Sequence, residues 1–111
     1  MMISADLLRG YTDAVILRQL VEEDGYGYQI SKQVANISGG RLELKEATLY
    51  TAFRRLEGAG CIQSYWGDEM IGARRRYYSI TEEGRKKLGE EIEAWHETRK
   101  VLNRLLEEEG K

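Results

Sequence analysis

Apolar side chains recur along the chain at two different spacings. From about Leu7 to Glu23 the positions Leu8, Tyr11, Val15, Leu17, Leu20 and Val21 return at helical intervals until Asp24-Gly25 interrupts them, which predicts a first helix. A second stripe, Tyr28, Ile30, Val34 and Ile37, stops at Ser38-Gly39-Gly40, because each glycine in a helix interior would cost about 1 kcal/mol. After Lys45 and Glu46, the i, i+3, i+4, i+7 set Leu49, Ala52, Phe53 and Leu56 predicts a third helix ended by Gly58 and Gly60. The period then drops to two. Ile62 to Trp66 and Arg74 to Ile80 alternate as strands, with Gly67-Asp68-Glu69 and Gly72 between them, which predicts a β-hairpin. Thr81 then offers an N-cap followed by Glu82 and Glu83, acids that a helix N-terminus favours. Nothing breaks this last helix before about Glu109, so it can reach roughly 40 Å at 1.5 Å per residue.

Such a helix outruns a small core. Its apolar positions fall in two adjoining stripes: Leu88, Ile92, Trp95, Leu102 and Leu106, interrupted by Arg99, and Ala94, Thr98, Val101 and Leu105. One stripe can lie on the first helix, and the other is most cheaply buried on a second copy in a two-fold dimer, at whose interface Leu88, Ile92, Trp95, Leu102 and Leu106 are expected. With 111 residues and 41% hydrophobic content the chain suits one integrated domain, in which residues 1–80 form a head and 81–111 a dimerisation helix. A chain this small gains from oligomerisation. No apolar run approaches the roughly 20 residues that cross a bilayer. Asp6 and Arg9 interrupt any signal-like start, and a cytoplasmic location with no membrane partner is expected. One cysteine, Cys61, and one histidine, His96, supply neither a disulfide nor a metal cluster, so no enzyme, cofactor or metal site is expected.

The net charge of −2 argues against a nucleic-acid partner until it is divided along the chain. Residues 1–40 carry three basic and five acidic side chains, 41–80 seven and five, and 81–111 seven and nine. The central excess is concentrated at Arg54 and Arg55 on the third helix and at Arg74, Arg75 and Arg76 in the hairpin. The third helix also turns Ala47, Thr48, Tyr50 and Thr51 away from its apolar stripe. Three helices, the third with a polar-basic face, followed by an arginine-bearing hairpin, make a mostly α (α+β) winged helix-turn-helix. In that arrangement Ala47, Thr48, Tyr50 and Thr51 reach thymine methyls, base edges or phosphates and Arg54 and Arg55 reach phosphate or guanine. Arg74 to Arg76 grip the backbone, and Tyr28 and Lys45 add phosphate contacts at helix starts. Alternatively, Arg54 and Arg55 pair with neighbours such as Glu57 and the triplet merely charges a sheet edge. The long helix would then recruit a protein partner without DNA.

The run from Leu44 to Glu57, with Gly60 and Ile62 after it, resembles the recognition-helix signature of the PadR family of transcriptional regulators. The segments Ser64–Glu69, Gly72 with Arg74–Tyr78, and Ile80–Gly84 resemble that family's wing, and Tyr26-Gly27-Tyr28 with Ile30 its second-helix start. The resemblance covers nearly the whole chain and, with one helix after the wing, points to the smaller subfamily. It implies a homodimeric repressor on a pseudo-palindromic operator. It also implies a multidrug-type pore at the dimer interface, where Trp95 faces its symmetry mate and stacks on a planar aromatic effector, with Leu7, Ala14 and Thr98 in the lining. A tryptophan pair has the flat polarizable faces for this, although Trp95 can equally fill a dimer core. Glu91 and Arg99 depart from the small residue and the acid that the resemblance would place there, so a preference for cationic effectors does not carry over.

Overall fold

The computed structural model describes residues 1–68, 72 and 74–107. Their elements run in the order α1 (Ala5–Leu8), α2 (Thr12–Gln19), β1 (Gly25–Tyr26), α3 (Gly27–Ile37), α4 (Glu46–Gly58), β2 (Ile62–Trp66), β3 (Arg76–Ile80) and α5 (Glu82–Leu106). This is the mostly α winged helix-turn-helix that the spacing predicts, with α3 and α4 as the helix pair and β2–β3 as the wing.

The first predicted helix is corrected to two. The chain breaks at Arg9-Gly10-Tyr11, where the Leu8 carbonyl accepts from both the Tyr11 N–H (2.7 Å) and the Thr12 hydroxyl (3.3 Å). Glycine weakens the helix at that point. α2 also stops at Gln19 rather than Glu23, since Glu22, Glu23 and Asp24 would set three negative charges at the negative end of the helix dipole. The Arg85 guanidinium instead donates to the Val21 carbonyl at 2.9 Å.

The sheet is antiparallel in the order β1-β3-β2. β1, too short to show a period, went unpredicted; it pairs Tyr26 with Tyr77, which faces Tyr65 across the other ladder. The opposite sheet face, with Ile62, Ser64 and Trp66 beside Arg76, Tyr78 and Ile80, turns toward α4, where Phe53 stacks on Tyr78 with ring centroids 3.9 Å apart. The predicted second strand begins two residues late, at Arg76. Glu69 at the hairpin tip, and Glu109 at the expected helix end, lie outside the described residues.

Thr81 caps α5 as predicted, its hydroxyl accepting from Gly84 N–H at 3.0 Å and donating to the Gly60 carbonyl at 2.6 Å. Gly84 is required there, because a Cβ would collide with the Cys61 carbonyl oxygen. Cys61 is buried at the start of the wing strand, and burial pushes its thiol pKa up. The foot of α5 rests on α2 and places Leu88 in the core, but from Ile92 onward its apolar residues are exposed. The chain therefore measures 64 × 31 × 22 Å with a radius of gyration of 16.1 Å, against about 13 Å for a compact domain of this length. No described helix is long and apolar enough to cross a membrane.

Candidate nucleic-acid interface

α4 buries Leu49, Ala52, Phe53 and Leu56 and thereby turns Ala47, Thr48, Tyr50, Thr51, Arg54 and Arg55 outward, as its periodicity predicts. The exposed face has two flanks. On one, Thr48, Thr51 and Arg55 share a recess of about 390 Å³ with Arg9 and Thr12 from the α1–α2 turn. On the other lie Tyr50, Arg54 and Glu57, of which Glu57 reaches the wing through Ser64 and Arg76. Lys45 is the exposed N-cap residue of α4. Tyr28 stands on the first turn of α3, 67% exposed, with the Lys32 ammonium 5.5 Å over its ring. Tyr50 lies edge-on to Phe53 at 5.4 Å, and Gly27 makes room for it, since a Cβ there would meet its hydroxyl.

The arginines divide into different roles. Arg55 is held by Asp13 of α2, its Nε donating to Oδ2 at 3.2 Å, and this hydrogen bond pushes its pKa above the usual value. Arg76 donates to the Ser64 hydroxyl at 2.7 Å and lies 3.8 Å from Glu57, while Ser64 donates to Glu57 at 2.7 Å. Glu57 thus ties the end of α4 to the wing and does not pair with Arg54 or Arg55. Arg75 covers the Tyr26 ring at 4.7 Å, and Arg74 donates its Nε–H to the Gly67 carbonyl at 3.2 Å. Arg54 bonds Thr51 at 3.5 Å, and among the described residues neither Arg54 nor Lys45 has a carboxylate at ion-pair distance. Asp13 as the partner of Arg55 was not anticipated, being 42 positions away with no local signal. Asp24 likewise accepts from the Tyr65 hydroxyl, a bond that pushes the phenol pKa up to about 12.

The second cluster expected from sequence gathers around Tyr11, the N-cap residue of α2. Leu7, Ala14 and Trp95 line one apolar groove of about 520 Å³ with Leu8, Tyr11 and Ile92. Trp95 is 40% exposed, touches Tyr11 edge-on at 5.7 Å, and has the Arg99 guanidinium 5.9 Å from its ring. Thr98 is not in that groove; it lines a smaller recess of about 260 Å³ beyond Tyr11 and Trp95. Glu91 pairs with Lys87 at 3.2 Å. Of the residues expected to face a second copy, Ile92, Trp95, Leu102 and Leu106 are exposed, whereas Leu88 must be corrected: it is buried in the chain's own core.

Comparison with known proteins agrees with this architecture. Residues 16–90 match the transcriptional regulator PadR-like family. An uncharacterized protein X of Lysinibacillus sphaericus is 40% identical over 106 residues, 96% of this chain and 97% of its own. A transcriptional regulator from Clostridium thermocellum is 46% identical, with a TM-score of 0.87 over 92% of this chain and 99% of that one. A PadR family transcription regulator from Clostridium difficile is 41% identical, with a TM-score of 0.76 over 86% and 98% of the two chains. With a winged helix-turn-helix, a polar-basic face on α4 and these matches across most of its length, the chain belongs to the PadR-like family of transcriptional regulators and is not an enzyme.

Proposed function

We propose that the chain is a cytoplasmic repressor that binds a pseudo-palindromic operator as a homodimer. The observation that carries this reading is the exposed face of α4: a polar, cation-bearing helix surface that the fold leaves uncovered beside a basic wing. In that reading Thr48, Tyr50 and Thr51 contact base edges or phosphates, and Arg54, Lys45 and Tyr28 anchor the backbone. The wing triplet Arg74, Arg75 and Arg76 holds the flanking backbone, with Arg76 serving partly as the wing's own brace. Dimerisation is supported by Ile92, Trp95, Leu102 and Leu106, apolar positions on an arm that reaches past the core.

A planar aromatic effector is the second half of the proposal. Leu7, Ala14 and Trp95 supply an apolar groove with an exposed indole face, and the Trp95 faces of two copies would sandwich a flat molecule. Such a ligand releases DNA only if it binds better to a dimer geometry with altered spacing of the recognition helices. Two measurements test these halves. At low salt a nonspecific duplex should bind with strongly salt-sensitive affinity; absence of any binding would leave a protein-interaction module instead. With Trp66 replaced by Phe, Trp95 emission should be quenched by members of a planar aromatic panel, and a panel without effect removes the effector while leaving the repressor.

A further inference from the structure

Trp66 has no place in the reading above, yet it is the largest apolar side chain exposed on the wing, at 54%. Its position follows from the register. Ser64 and Trp66 share one face of β2, and Ser64 reaches Glu57 of α4, so Trp66 lies on the α4 side of the wing, one pleat repeat closer to the tip. The Arg76 guanidinium, opposite Trp66 in the ladder and 5.6 Å from its ring, is fixed by Ser64 and Glu57. Arg54, one turn before Glu57 on α4, continues the row. A band of Arg54, Glu57, Ser64, Arg76 and Trp66 therefore leads from the recognition helix along the wing, with the indole at its outer end.

We propose that Trp66 is a DNA contact, packing its indole on the sugar–phosphate backbone of a duplex seated on α4 and donating its Nε1–H to a phosphate oxygen. This rests on the DNA-binding reading of α4 and adds a contact to it. The chemistry fits a backbone partner better than a base edge. Indole has one donor and no acceptor, so it cannot read a base pair's pattern, while its flat face suits deoxyribose. Arg54 and Arg76 draw the polyanion to the same band.

The test compares the unmodified chain with Trp66→Phe during titration with a duplex, following tryptophan emission and the anisotropy of a label on the DNA. The expected result is a DNA-dependent emission change in the unmodified chain, with the midpoint of the anisotropy curve, that Trp66→Phe lacks. Saturating anisotropy with no emission change, or with the same change in both proteins, overturns the contact while leaving DNA binding intact; no anisotropy change at any salt overturns both. Trp66→Ala should weaken binding to every duplex by about the same factor, on the order of tenfold for one lost phosphate hydrogen bond, with an unchanged salt slope because indole is neutral. A slope lowered by about one would show that Trp66 acts only by positioning Arg76. A single-stranded oligomer of equal length that elicits an equal emission change would assign the indole to base stacking and contradict the backbone contact.

Discussion

Arg55 and Asp13 show that a cation's availability to DNA is decided by what it already touches. The pair bridges α4 and α2 beside the recess that Thr48 and Thr51 line. A phosphate arriving there competes with a carboxylate already in place. Asp13→Asn should therefore raise affinity for any duplex at low salt and steepen the log–log salt dependence by about one, read in a gel-shift salt series. An unaltered slope would place Arg55 away from the backbone. Arg54→Ala should do the reverse, lowering affinity and flattening the slope by about one, because Arg54 has no carboxylate partner among the described residues to return to. The outward positions of α4 were legible in the sequence, since helical period alone sets which residues leave the core. The partners of its arginines were not: Asp13 and Asp24 lie about 40 positions from Arg55 and Tyr65, and only the tertiary fold joins them.

Element by element, legibility followed length. α3, α4, the hairpin and α5 span enough residues to show a period, whereas the two-residue β1 shows none. The α1–α2 break turns on one glycine inside an otherwise continuous apolar stripe. β1 is held to the wing by the Tyr26–Tyr77 ring contact, and Tyr65 stacks on the other side of Tyr77 while bonding Asp24 just before β1. Folding raises the Tyr65 pKa from 10.0 to about 12 through that bond. Its contribution to stability is thus complete below pH 10 and lost as the pH rises from 10 toward 12. Urea denaturation across this range should show stability falling with pH, with a smaller fall in Tyr65→Phe; an identical fall would mean the bond adds nothing. At the foot of α5, Gly84→Ala should cost about 1–3 kcal/mol by forcing that helix off the Cys61 carbonyl, read as a lowered Tm in thermal unfolding, and an unchanged Tm would show that the backbone yields freely.

At the scale of the whole molecule, the arm of α5 separates what the chain buries by itself from the apolar positions it leaves exposed. Sequence periodicity places Leu88 and Leu102 in one stripe, and the whole stripe is expected at the dimer interface because a period does not distinguish the part that the chain's own core covers. The structure shows Leu88 inside the chain's own core and Leu102 exposed. Leu102→Asp should leave the head folded, sediment as a monomer where the unmodified chain sediments as the dimer we propose, and weaken operator binding far more than binding of a single half-site. Two-fold pairing through this arm would present two α4 faces to one side of a duplex, with the centres of the half-sites about 34–36 Å apart. Selection of bound duplexes from a random pool tests this most directly. The account predicts an inverted repeat with half-sites centred about 10–10.5 base pairs apart, whereas enrichment of a single unrepeated site, or no enrichment at all, would contradict it.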